Sequence, residues 1–110
     1  MLWIHLSVGP LFLVLSIIYR IFPPKKINDF YGYRTRRAMQ SQQSWDYANK
    51  LSANLMLLVG ASTCLIQFVL QRYFTDETVI LSASAWLVLG LLLTIPCTEF
   101  YLKKKFGNPN

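Results

Sequence analysis

Charge is what this sequence lacks most. Only 15% of its residues are charged, while 54% are hydrophobic. Soluble domains carry roughly a quarter charged residues, so polar side chains are too few to clothe a water-facing globule. Acids are scarcer still, five Asp and Glu against eleven Lys and Arg. There is one histidine, His5, and there are two cysteines, Cys64 and Cys97. They fall in separate apolar segments, so they build no zinc centre. Two lone thiols also make no disulfide framework. The histidine lies far from the polar part of the chain, which leaves no Ser-His-Asp constellation. Asp29 and Asp46 form a carboxylate pair only if folding brings them together. We expect no catalytic residue, no metal and no cofactor, and a protein that binds rather than an enzyme.

What is present is apolar length. Leu2 to Phe22, Leu51 to Leu70 and Val79 to Leu102 are nearly free of charge. A bilayer core about 30 Å thick needs about 20 apolar helical residues, at about 1.5 Å of rise each. All three segments reach that length. Amphipathic helices of a soluble bundle show a polar stripe, and "PLFLVLSII" and "WLVLGLLLTI" show none. A cleaved signal peptide has basic residues before its apolar run; here they follow it, so the first segment reads as an uncleaved span. The length of 110 residues allows one domain, residues 1–110. The expected fold is all-α: a polytopic membrane protein with three transmembrane helices, about 2–22, 51–72 and 79–102, and a structured loop over 23–50.

The basic residues set the orientation. Arg20, Lys25, Lys26, Arg34, Arg36, Arg37 and Lys50 lie at or within the first connection, and Lys103, Lys104 and Lys105 lie in the tail. Arg72 alone lies in the second connection, beside Asp76 and Glu77. With three spans, the first connection and the tail share one side. The positive-inside rule makes that side the cytoplasm, with the N-terminus outside and the C-terminus inside. A basic patch with interleaved aromatics also suits nucleic acid, but anionic headgroups at the same depth already account for it. We expect no direct nucleic-acid partner.

Local signals place the helix ends. Gly9-Pro10 sits near the outer end of the first span, where a missing donor is tolerated. Trp3 and Tyr19 read as interfacial aromatics. Pro23-Pro24 stops the helix. Ser41 is an N-cap candidate, and Asp46 and Lys50 are spaced for an ion pair. Ser41, Trp45, Ala48, Asn49 and Ser52 share one face, and no breaker follows. This predicts one long helix from about Ser41 to Arg72. Thr75 or Asp76 caps the third helix. Pro96 predicts a kink, Glu99 is spaced to pair with Lys103, and "LKKKFGNPN" reads as a solvated tail. Gly60 and Cys64, and then Ser82, Trp86 and Gly90, mark faces where helices approach closely.

The segment "NDFYGYRTRR" concentrates the polar chemistry. Arg34 presents a rigid donor fork suited to a carboxylate or phosphate, next to Gly32, which permits backbone shapes other residues avoid. Trp45 and Asn49 lie one turn apart on one helical face. Asn28 is placed to cap a turn or to reach Arg34.

Asn28, then Gly32-Tyr33-Arg34-Thr35, then Ser41, then Trp45 with Ala48-Asn49, resembles the SdpI family of bacterial membrane proteins. The resemblance extends over most of the chain. It implies a multi-pass protein of the bacterial plasma membrane that protects its cell from a membrane-active peptide toxin. In the family's founding member it also implies recruitment of a cytoplasmic repressor protein. The candidate partner- or headgroup-binding residues are therefore Asn28, Gly32, Tyr33, Arg34, Thr35, Ser41, Trp45 and Asn49. The expected partners are membrane lipids, a peptide toxin, a cytoplasmic repressor and a second copy of the chain. The alternative is a membrane scaffold or a headgroup-binding protein. A small transporter subunit fits less well, since no ionisable residue falls at mid-depth in any span.

Overall fold

The computed structural model describes residues 8–28 and 30–107. The expectations for Trp3, His5 and Asp29, for the start of the first span and for the last three residues fall outside that range. The described residues form helices and no strands. Helix α1 is Val8–Ile21, α2 is Gln42–Leu70 and α3 is Asp76–Phe106, and a single 3-10 turn covers Ala38–Gln40.

Each helix starts where local chemistry allows. Ser41 is extended (φ −158°) and its hydroxyl accepts from the Ser44 amide, capping α2. Thr75 caps α3 through the Thr78 amide, and Asp76 and Glu77 follow in the first turn, where negative charge suits the helix dipole. At the start of α1, the Gly9 N–H donates to Gln67 Oε1 at 3.1 Å. That bond ties the described beginning of α1 to the far part of α2. Pro10, lacking an N–H, sits in the same turn. α3 continues through Pro96 without a break.

α2 is the central element, packed along both α1 and α3, which touch one another little. Small residues set the approach. A Cβ on Gly9 would lie 3.0 Å from the Cys64 backbone, and one on Gly60 3.1 Å from Leu13 Cα. Gly90 faces Val59, and Trp86 Nε1 donates to Ser62 Oγ at 2.9 Å. The contact faces expected at Gly60 and Cys64, and at Trp86 and Gly90, are where the helices meet.

The outward faces are apolar. Leu58, Leu65, Leu81, Leu92 and Leu93 are each about three-fifths exposed. α2 and α3 are both long and apolar enough to cross a membrane, and only 22% and 11% of their most apolar windows are buried. A soluble core helix buries such a window; these helices present it outward, which fits a membrane protein. α1, at 14 described residues, is about 21 Å long by helical rise, shorter than a hydrocarbon core.

The C-terminal end departs from the solvated tail expected there. α3 runs on to Phe106. Leu102 is fully buried against Ala38 and Ala48, with Tyr33, Tyr47 and Phe106 packed around them. Lys105 Nζ lies 4.4 Å from the centre of the Tyr47 ring, a cation–π contact. Phe106 and Lys105, beyond the expected end of the span, both pack on Tyr47, which gives the added turn of helix tertiary contacts.

Candidate functional site

The segment between α1 and α2 is irregular but densely bonded. After Pro23-Pro24, the Trp45 indole N–H donates to the Pro24 carbonyl at 2.7 Å, and Gln42 Nε2 donates to the Lys25 carbonyl at 2.6 Å. Asn28 then turns the chain. Its Oδ1 accepts from the amides of Phe30 at 2.9 Å and Tyr31 at 2.7 Å, and its Nδ2 donates to the Lys26 carbonyl. This is a local turn cap. Tyr31 OH ties the turn back to the Phe22 carbonyl at 2.7 Å.

Gly32 brings the chain onto α2. Its φ is +103°, a region side chains avoid. A Cβ there would lie 2.5 Å from both Asn49 Oδ1 and Pro24 Cγ. Glycine is thus required twice, by conformation and by space.

Asn49 is the hub beneath it, 2% exposed. Its Oδ1 accepts from the Tyr33 amide at 2.7 Å and from Tyr19 OH at 2.5 Å. Its Nδ2 donates to the Trp45 carbonyl at 2.9 Å and the Tyr33 carbonyl at 3.4 Å. An amide has two donors and two lone pairs, so every bonding position is used. Ser52 Oγ lies 3.1 Å from Tyr19 OH and completes the network. Trp45, fully buried, forms the floor.

A second hub is Glu99, on α3. Tyr33 OH and Thr35 Oγ1 donate to its Oε2 at 2.8 and 2.9 Å. Arg37 NH1 reaches its Oε1 at 3.2 Å. Glu99 therefore serves the loop, not the local Lys103 pairing expected from spacing. Thr35 also accepts from the Ala38 amide and starts the 3-10 turn. Burial, with the bond to Glu99 second, pushes the Tyr33 phenol well above the usual tyrosine range. It stays a neutral donor.

The eight residues singled out by sequence thus divide. Gly32, Tyr33, Trp45 and Asn49 converge in one buried clamp; Thr35 joins it through Glu99. Asn28 and Ser41 act locally, as turn and helix caps. Arg34 and Arg36 are exposed on the outer side of the segment, beside Phe30 at 90% and Tyr31 at 44% exposure. Asp46, expected to pair with Lys50, instead accepts from Gln42 Nε2 at 2.8 Å. Tyr19, Ser52, Arg37 and Glu99 were not among the sequence candidates. Tyr19 in particular is a buried network member, not an interfacial anchor. Among the described residues no cluster of His, Cys, Asp and Glu is arranged to hold a metal.

Comparison with known proteins gives two matches. The model of the SdpI/YfhL protein family matches residues 25–101, the stretch that holds the whole Asn28–Asn49 motif and Glu99. The uncharacterized protein YfhL of Bacillus subtilis (strain 168) is 52% identical over 52 residues, covering 47% of each chain. The alignment thus spans about half the length of that curated relative. No solved structure matches.

Proposed function

The chain belongs to the SdpI/YfhL protein family, and on that premise we propose that it is an immunity protein of the bacterial plasma membrane. It binds or blocks a membrane-active peptide toxin and transforms no substrate. In this reading all three helices cross the membrane, and the loop and C-terminus face the cytoplasm. The charge asymmetry supports that orientation: ten of eleven basic residues gather at one end.

The observation that carries the reading is how the motif is used. Gly32, Tyr33, Trp45 and Asn49 are consumed in locking the loop to the helices. What the lock presents outward is Phe30, Tyr31, Arg34 and Arg36. Aromatic and arginine side chains on a rigid base make an effective binding surface. The toxin, or a cytoplasmic regulator that responds to it, would engage this rim. Arg34 is the central contact, since its fork suits a carboxylate or a row of carbonyls.

The test is protection of a toxin-sensitive cell by the expressed protein. Arg34→Lys should weaken protection while membrane abundance stays constant. Full protection by Arg34→Ala would remove the rim from the account. Deletion of the gene should sensitise its host to one class of membrane-active peptide and spare others. Crosslinking from a photoreactive group at Phe30, with and without toxin, would show whether a cytoplasmic repressor docks there.

A further inference from the structure

On the other side of the clamp, between the end of α1 and the start of α2, lies a cleft of about 420 Å³. Small-molecule clefts run from about 300 Å³ upward, so this one is large enough for a small group. Its walls carry three cations, Arg20, Lys25 and Lys50, and one acid, Asp46, around the rigid Pro23-Pro24 corner.

The cleft is built by fixed groups. Trp45 holds the Pro24 carbonyl at 2.7 Å. Gln42 Nε2 bridges the Lys25 carbonyl and Asp46 Oδ1, so one amide positions two wall residues. Arg20 donates through Nε to Asn54 Oδ1 at 2.9 Å. A guanidinium anchored at Nε keeps its two terminal nitrogens in a set plane, the pair that grips a tetrahedral anion. Among the described residues Lys25 and Lys50 have no ion-pair partner. Three cations gathered around a single acid leave an excess of positive charge, which a bound anion would offset.

The position names the anion. Arg20 lies in the last turn of α1. Its neighbours Ile17, Ile21 and Phe22 are 41%, 62% and 67% exposed, and Leu58, one turn beyond Asn54 on α2, is 66% exposed. The cleft thus sits where outward apolar surface gives way to the basic loop. Basic pockets between helices at that level receive lipid headgroups. We propose that this cleft binds the phosphate of a membrane lipid headgroup, gripped by Arg20, Lys25 and Lys50. Asp46 faces the part of the headgroup beyond the phosphate and favours one that carries its own donor, a hydroxyl or an ammonium. This site is separate from the Arg34 rim and does not depend on toxin binding.

The experiment uses the purified full chain in an uncharged detergent. Thermal stabilisation is titrated with short-chain phosphatidylglycerol, short-chain phosphatidylcholine and glycerol phosphate. Phosphatidylglycerol should stabilise at the lowest concentration. Lys25→Gln/Lys50→Gln, at exposed positions whose side chains make no hydrogen bond or ion pair among the described residues, should weaken its effect about tenfold or more. Arg20→Lys, which keeps the charge and loses the fork, should fall between. A Lys103→Gln/Lys104→Gln/Lys105→Gln control should bind as the wild type does. Equal stabilisation by glycerol phosphate, lost in the Lys25/Lys50 variant, keeps the phosphate site but assigns it a soluble ligand. Unchanged phosphatidylglycerol binding in that variant, or an equal loss in the tail control, overturns the proposal.

Discussion

The two halves of α2 are held by different balances of polar pairing and close packing. In its first half Trp45, Asn49 and Ser52 bury polar atoms that are paired with the loop and α1. In its second half Gly60 and Cys64 let neighbouring backbones come close, the outward side chains are apolar, and the cross-helix hydrogen bonds are single ones, Gly9 N–H to Gln67 and Trp86 to Ser62, not a shared network. The first half depends on completeness, because an unpaired buried polar atom is costly. The second depends on fit, where a single contact is worth little and side chains yield. The motif therefore reads as dense and ordered in one half and as loose spacing in the other.

Substitutions should separate the halves by size of effect. The largest belongs to Trp45→Ala, which empties the buried floor and strands the Pro24 carbonyl. A loss of about 3–5 kcal/mol is expected, seen as a collapse of the thermal midpoint in detergent. Leu58→Ala, on the outward face of the same helix, should change the midpoint little, by under about 0.5 kcal/mol. Equal losses from the two would erase the distinction.

Next is Gly32→Ala. Its Cβ has no room beside Asn49 and Pro24 and demands a strained backbone, at a cost of roughly 1–3 kcal/mol. Gly90→Ala meets only Val59 side-chain atoms and keeps a helical backbone, so it should cost less. The ratio of the two midpoint shifts is the measurement, and a larger shift for Gly90→Ala contradicts the reading of the loop as tightly closed.

The smallest effect is pH-dependent and belongs to the polar half alone. The Tyr33 phenol is raised in the folded protein, so its contribution is whole below the ordinary tyrosine value of about 10. It fades as pH climbs from there through the raised value. Stability should decline in that alkaline window, and Tyr33→Phe should flatten part of the decline. A profile identical in the two proteins would remove Tyr33 from the linkage.

Legibility in the sequence followed distance along the chain. Ser41 and Thr75 were readable as caps and Asn28 as a turn former, since each acts within three residues. The long α2 was readable from the unbroken run after Ser41. Glu99 was not. Its partners Tyr33, Thr35 and Arg37 lie more than sixty residues away, and Lys103 one turn on offered a sufficient local explanation. Tyr19 was missed for a similar reason, because a tyrosine at the end of an apolar run looks like an anchor. The exposed arginine was the conspicuous candidate for the site, while the buried asparagine holds the segment together.

Amide hydrogen exchange at Tyr33 is the most direct test of that clamp. Its N–H, donated to Asn49 Oδ1, should exchange as slowly as amides in the middle of α2, and should become fast in Asn49→Ala while the helix amides stay protected. Rapid exchange at Tyr33 in the unaltered protein would contradict the account.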